Sequence, residues 1–134
     1  MDTSSLVVVS AIGLVTLLGV FLVAFGVAAC TRPAAARAFL AGFAGSAFTH
    51  YAELAVRLSF GWALILASPN LSASTWLAGA GWVLLVTSAL MLLVPWKLHR
   101  SFARIAVPQA PFVLRGMGLA SVCAGAFLLW ALAA

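Results

Sequence analysis

Four long runs of apolar residues, separated by short segments that hold most of the basic residues, constrain the fold of this chain more than any other feature. Of the 134 residues, 66% are hydrophobic and only 7% are charged, a balance that no soluble domain of this size can bury. A helix of about 20 residues crosses a hydrocarbon core of about 30 Å. Four such helices use most of the chain. The sequence therefore predicts one all-α domain, an integral membrane four-helix bundle with short interfacial amphipathic helices.

Helix-breaking residues between the apolar runs divide the chain into spans. Pro33 follows the first run, Ser68-Pro69-Asn70 forms a turn signal after the second, and Pro95 ends the third. Proline cannot donate a backbone hydrogen bond, so helices tend to end near it. Two shorter segments remain between the spans, and we expect them to lie at the membrane surface. The predicted spans are about 6–29, 49–68, 75–96 and 112–132, and the predicted interfacial helices are about 34–46 and 97–106.

The segment after the third span has the pattern of an amphipathic helix on a membrane surface. Three basic and three apolar residues recur at helical spacing on opposite faces. They are Lys97, Arg100 and Arg104 on one face and Leu98, Phe102 and Ile105 on the other. Basic residues near a membrane surface attract anionic headgroups by roughly 1 kcal/mol each. The predicted lipid-headgroup contacts are Arg32, Arg37, Lys97, Arg100 and Arg104.

The basic residues outside the second span also predict the orientation in the membrane. They all fall in or beside the two loops on one side of the predicted spans, and the loop on the other side has none. By the positive-inside rule, the two basic loops are cytoplasmic. We therefore expect a multi-pass protein of the bacterial inner membrane with both termini in the periplasm. The net charge of +5 then reflects this topology and attraction to anionic lipids, and does not indicate nucleic-acid binding.

One cluster of polar residues lies inside the second span. It contains His50, Tyr51, Glu53 and Arg57, and Glu53 is the only acidic residue besides Asp2. Residues 50, 53 and 57 share one helix face, and the acid precedes the base at the favourable i, i+4 spacing. A charge at this depth costs about 2.5 to 3.5 kcal/mol. We therefore expect Arg57 to fold back over Glu53 and form an ion pair.

Three interpretations of this cluster remain open. The pair is structural, or the cluster binds a quinone, a lipid headgroup or a small solute, since ionisable residues within membranes often have a function. In the third interpretation, His50 ligates a tetrapyrrole, with Ser46 one turn earlier leaving space for the flat ring. A metal site is not predicted, because His50 and Glu53 supply two ligands and no other span offers His, Glu or Asp.

The remaining polar residues argue against an enzyme and against a transport path. Cys30 and Cys123 are predicted at different depths, so paired-cysteine chemistry is not expected. The other spans contain small hydroxyl residues that can bond to their own helix backbone, namely Ser10, Thr16, Thr87, Ser88 and Ser121. The sequence favours a non-enzymatic protein, either an accessory or scaffold subunit of a membrane complex or a lipid-binding bundle. The alternative is a small transporter or quinone-site protein that uses Glu53.

The segment from Arg57 to Leu64, with Arg57-Leu58 and Gly61, resembles a segment of DoxX-like four-helix proteins. The wider pattern, with His-Tyr-x-Glu before this segment and Trp-Lys-x-His-Arg after the third span, is similar to that of small bacterial four-helix inner-membrane proteins. The DoxX resemblance implies association with quinone-linked membrane redox complexes. It implies neither a cofactor nor a catalytic residue for this chain.

Overall fold

A computed structural model of the chain describes residues 2–134, and all regular structure in that range is helical. Four of the helices are long and apolar enough to cross a membrane, as expected for an all-α multi-pass membrane protein. A single 3₁₀ turn, Ser68–Asn70, follows the third helix. The α-helices are α1 (Thr3–Thr31), α2 (Pro33–Gly42), α3 (Ala47–Ala67), α4 (Ser74–Leu92), α5 (Trp96–Ala106) and α6 (Pro111–Ala133).

Local sequence signals set the first residues of α2 and α3. Pro33 occupies the first turn of α2, where its missing N–H costs nothing. Ser46 begins α3 with a capping box: its hydroxyl accepts the Thr49 N–H at 3.2 Å, and the Thr49 hydroxyl accepts the Ser46 N–H at 3.1 Å. The chain from Ala34 to Ala67 is therefore two helices, and the first ends at Gly42, earlier than the predicted position 46.

The predicted end of the third span lies too far along the chain. The sequence predicts a span to Trp96, whereas α4 ends at Leu92 and Trp96 is the first residue of α5. The apolar run continues past the end of the helix, so hydropathy alone does not mark the boundary. Pro95 sets it, because proline disfavours helical backbone in the residue before it. Trp96 consequently belongs to α5.

Close backbone approach holds the spanning helices together in antiparallel pairs. At the contact of α1 with α6, a Cβ atom added to Gly125 would lie 2.6 Å from the carbonyl oxygen of Gly19. Where α3 meets α4, a Cβ on Gly81 would lie 2.8 Å from the carbonyl oxygen of Gly61. Real Cβ atoms do not make such contacts, so only glycine allows this packing distance. Small residues serve the same purpose in membrane helix pairs generally.

The spanning helices follow the order α6, α1, α3, α4, and their shared core lies toward the Ser68–Ala73 loop. All four contribute to it, through the buried residues Ala11, Val15, Ala63, Leu64, Ala67, Leu77, Leu128 and Ala131. The opposite end carries α2 and α5 together with the loop arginines, and we call it the basic end. Within residues 2–134, α4 and α6 make no extended contact with each other. At the basic end, residues of α2 and α5 border a space beside α3 and α6.

Candidate functional site

The ionisable residues of α3 meet a histidine from α5 at the basic end. Arg57 Nη1 lies 3.4 Å from Glu53 Oε1, which is the i, i+4 pairing expected from the sequence. The second carboxylate oxygen, Glu53 Oε2, lies 3.7 Å from His99 Nε2. The three side chains are 30%, 20% and 12% exposed for Arg57, Glu53 and His99, respectively. The acid is thus flanked by a cation of its own helix and by an imidazole of another.

Arg57 also connects α3 to α4. Its Nε donates a hydrogen bond to Ser88 Oγ at 3.1 Å, and its Nη2 donates to Thr87 Oγ1 at 3.2 Å. Both hydroxyls donate to backbone carbonyls of their own helix, those of Leu84 and Val83, as expected for such residues in spans. Their lone pairs remain free to accept from the guanidinium. The charge of Arg57 is therefore satisfied by one acid and two hydroxyls.

His50 is the most enclosed member of the cluster. Its side chain is 0% exposed, and neither ring nitrogen has a hydrogen-bond partner among residues 2–134. The His99 ring lies 4.6 Å from the His50 ring centroid, and the Tyr51 ring lies 5.1 Å away. Protein side chains enclose the His50 ring completely, and ligation of a tetrapyrrole by His50 stays a prediction from the sequence. Tyr51 itself is 51% exposed.

Sequence reasoning did not identify His99 as part of this cluster. The amphipathic pattern of α5 predicts two faces, one basic and one apolar, and His99 belongs to neither. In the structure, His99 and Ala103 form a less exposed stripe between those faces and turn toward the bundle, while Leu98, Phe102 and Ile105 are exposed. A histidine followed one turn later by alanine, between the two faces, is the signal that could have revealed it.

A basic cleft of about 440 Å³ lies between α2 and α5. Arg37, Arg100 and Arg104 line it together with Gln109, whose side-chain oxygen accepts a hydrogen bond from Arg37 Nη1 at 3.1 Å. Small residues of both helices, such as Ala41, form the remaining wall. Among residues 2–134, every ion pair involves Glu53, so no carboxylate neutralises these arginines. Two other predicted headgroup residues, Arg32 and Lys97, are exposed outside the cleft.

An apolar pocket of about 230 Å³ lies on the other side of the same two helices. Glu53 and His99 form its polar wall. Ala103 and Val107 line both this pocket and the basic cleft, so α5 separates the two spaces. The other lining residues are Leu40, Phe43, Phe102, Ala106, Pro108 and Met117. The basic end thus presents a basic cleft and an apolar pocket next to each other.

Among the remaining polar residues, Ser121 departs from the expectation and Cys30 agrees with it. Ser121 was expected to bond to its own helix, but its hydroxyl donates to the Leu22 carbonyl of α1 at 2.8 Å and adds to the packing of α1 on α6. Cys30 and Cys123 are both free thiols. The Cys30 sulfur lies 3.5 Å from the Arg115 carbonyl oxygen, a weak contact that fits a packing residue.

Within residues 2–134, no cluster of three or more His, Cys, Asp or Glu side chains has the geometry to hold a metal ion. The site consists of an ion pair, two histidines and two adjacent spaces of different polarity. Comparison of the chain with protein-family models, with curated proteins and with solved structures finds no match.

Proposed function

We propose that this chain is a non-enzymatic membrane protein whose basic cleft binds the headgroups of anionic lipids on the cytoplasmic side of a bacterial inner membrane. The observation that carries the proposal is the convergence of Arg37, Arg100 and Arg104, from two different helices, on one cleft without a neutralising acid. Guanidinium groups bind phosphate oxygens in pairs and match their planar spacing. A phosphodiester is therefore the ligand that best complements this cleft.

The charge inventory of the whole chain supports an external anion. Seven Lys and Arg residues face only two acidic residues. Asp2 begins α1 at the opposite end of the molecule, and Glu53 is engaged by Arg57 and His99. The cleft arginines must therefore find counterions outside the chain, and lipid phosphates are the nearest anions to a helix at the membrane surface.

The surroundings of Glu53 favour a structural or accessory role over transport. A proton-coupled transporter would use this carboxylate as its proton carrier, since no other acid lies within a span. Arg57 instead joins Glu53 to Thr87 and Ser88 of α4, which stabilises the contact of two helices. A bundle held in one arrangement in this way suits a scaffold or accessory subunit of a membrane complex that binds lipid.

Neutralising the cleft tests the proposal. We expect the triple variant Arg37→Gln, Arg100→Gln, Arg104→Gln to lose most of its preference for phosphatidylglycerol over phosphatidylcholine. Three interactions of about 1 kcal/mol each correspond to a roughly 100-fold loss of affinity. Native mass spectrometry of the protein, released from detergent with either lipid, measures the fraction carrying bound lipid.

The matched control removes the same charge from outside the cleft. It is the triple variant Arg32→Gln, Lys97→Gln, Arg115→Gln, whose residues are exposed and do not line the cleft. This control also removes the predicted surface contacts of Arg32 and Lys97, so it should weaken the preference for phosphatidylglycerol far less than the cleft variant does. Equal losses in both triple variants would show that net charge alone attracts the lipid, and the cleft would then not be a binding site.

A further inference from the structure

We infer that the apolar pocket beneath α5 is a second binding site, distinct from the basic cleft, that takes the ring of a neutral, membrane-soluble quinone or quinol. Glu53 and His99 would hold the oxygens of that ring. The inference rests on the spacing of the two polar groups, on the chemistry of the walls and on the size of the pocket, and it does not depend on lipid binding in the cleft.

The spacing of Glu53 and His99 leaves room for a bridging oxygen. Their closest polar atoms are 3.7 Å apart, which is beyond the range of a good hydrogen bond. A polar pair at such a distance is commonly bridged by a third group that bonds to both. The imidazole can donate to a carbonyl oxygen, and the carboxylate can accept from a hydroxyl. The wall therefore offers both a donor and an acceptor, as a quinone and its quinol require.

The charges around the pocket select a neutral ligand. An anionic headgroup would be repelled by Glu53, and a cation would compete with Arg57 for the same carboxylate. A hydrocarbon chain would offer no hydrogen bond to the second oxygen of Glu53 or to His99, and an unsatisfied polar group facing an apolar ligand costs about 1 to 3 kcal/mol. A neutral molecule with its own donor or acceptor oxygens complements this wall.

The remaining walls suit a ring in contact with the lipid phase. The rings of Phe43, Phe102 and Pro108 provide apolar surfaces, and Ala106 adds a small side chain to the wall. A volume of about 230 Å³ accepts a single ring and is too small for a two-chain lipid. Phe102 is 68% exposed and Met117 is 42% exposed, so the rim is apolar and open. An alkyl tail on the ring can therefore leave the pocket into the bilayer.

The probe for this site is decylubiquinone, added to the purified full-length protein in nanodiscs of phosphatidylcholine. Ligand that binds the folded state raises the melting temperature as its concentration increases, so a titration yields the dissociation constant. Decanol serves as the control for the alkyl chain alone. We expect saturable stabilisation by decylubiquinone and none by decanol at equal concentration. Equal effects of both compounds would overturn the proposal, because they would indicate an acyl-chain site.

Variants on α5 locate the binding. Ala106→Trp fills the pocket, and Ser101→Trp adds the same bulk to an exposed position of the same helix outside it. We expect at least a tenfold weaker affinity for Ala106→Trp and an unchanged one for Ser101→Trp. His99→Leu, which removes the donor without adding bulk, should weaken binding by about tenfold and covers the case in which Ala106→Trp does not fold. Unchanged affinity in His99→Leu would overturn the proposal.

The cleft variant separates this inference from the proposed function. The triple variant Arg37→Gln, Arg100→Gln, Arg104→Gln leaves every residue of the apolar pocket in place. It should bind decylubiquinone as the unmodified protein does, even when it no longer selects anionic lipid. Loss of both activities in this variant would contradict the assignment of two independent sites.

Discussion

At the residue scale, the notable feature is how completely one charge pair is surrounded by partners. Arg57 reaches an acid of its own helix and two hydroxyls of α4, while the acid also faces an imidazole of α5. An ion within a bilayer is expensive unless it is paired and hydrogen-bonded. The pair therefore costs little as long as every partner is present, and removal of a single member exposes that cost.

A double-mutant cycle tests this. We expect Glu53→Gln to lower the free energy of unfolding by about 1 to 3 kcal/mol, because it leaves the Arg57 charge without its acid. This expected loss is smaller than that for a fully buried pair, because the side chains of Glu53 and Arg57 are 20% and 30% exposed. Adding Arg57→Met should restore much of the loss. Thermal unfolding in mild detergent measures all three variants against the unmodified protein.

Coupling between the two positions is the decisive quantity of that cycle. Two residues in contact typically show an interaction free energy of about 0.5 to 3 kcal/mol beyond the sum of their single effects. Arg104→Gln, an exposed position without an acid partner, is the control for charge removal alone and should leave unfolding nearly unchanged. Strictly additive losses at Glu53 and Arg57 would mean that the pair does not interact in the membrane.

At the element scale, small residues determine which helices pair. Gly118 of α6 lies against Gly26 of α1, and a Cβ on Gly118 would lie 2.7 Å from the Gly26 carbonyl oxygen. Nothing lies within 4 Å of a Cβ on Gly116, two residues earlier on the same helix. The two glycines are alike in the sequence and differ only in the face they occupy. Their substitution therefore separates packing from helix propensity.

We expect Gly118→Ala to destabilise the protein and Gly116→Ala to be neutral or slightly stabilising. Alanine gains up to about 1 kcal/mol in helix propensity at either position, but overpacking at Gly118 costs about 1 to 3 kcal/mol. Melting temperatures of the two purified variants, measured side by side, give the comparison. Similar melting temperatures would show that α1 and α6 can move apart without loss, contrary to the packing described.

At the scale of the whole molecule, charge and core lie at opposite ends. The buried cluster shared by the four spans is near the Ser68–Ala73 loop, and the basic cleft and the apolar pocket are at the other end. This polarity fits the expectation that the basic end faces the cytoplasm, where the positive-inside rule places Lys and Arg. It also positions α5 where its exposed residues Leu98, Phe102 and Ile105 can enter the interface.

Reporter fusions test that orientation. Alkaline phosphatase, which requires the oxidising periplasm for its disulfides, should be active when fused after Ala134 and inactive when fused after Gln109. Green fluorescent protein at the same two positions should give the reverse pattern. Phosphatase activity at Gln109 with fluorescence at Ala134 would invert the topology, and the basic cleft would then face the periplasm.

The sequence by itself determined the fold class, the number of spans and the pairing of Glu53 with Arg57. These follow from hydropathy, from helix-breaking residues and from i, i+4 spacing, all of which are properties of neighbouring residues along the chain. Only the tertiary structure decided which distant residues complete the site. His99 meets Glu53, and Arg37 faces the arginines of α5, because the breaks at Pro33 and Pro95 direct the two short helices to the basic end. Thr87 and Ser88 receive Arg57 because α4 packs against α3. Such directions depend on packing between helices, and no local periodicity encodes them.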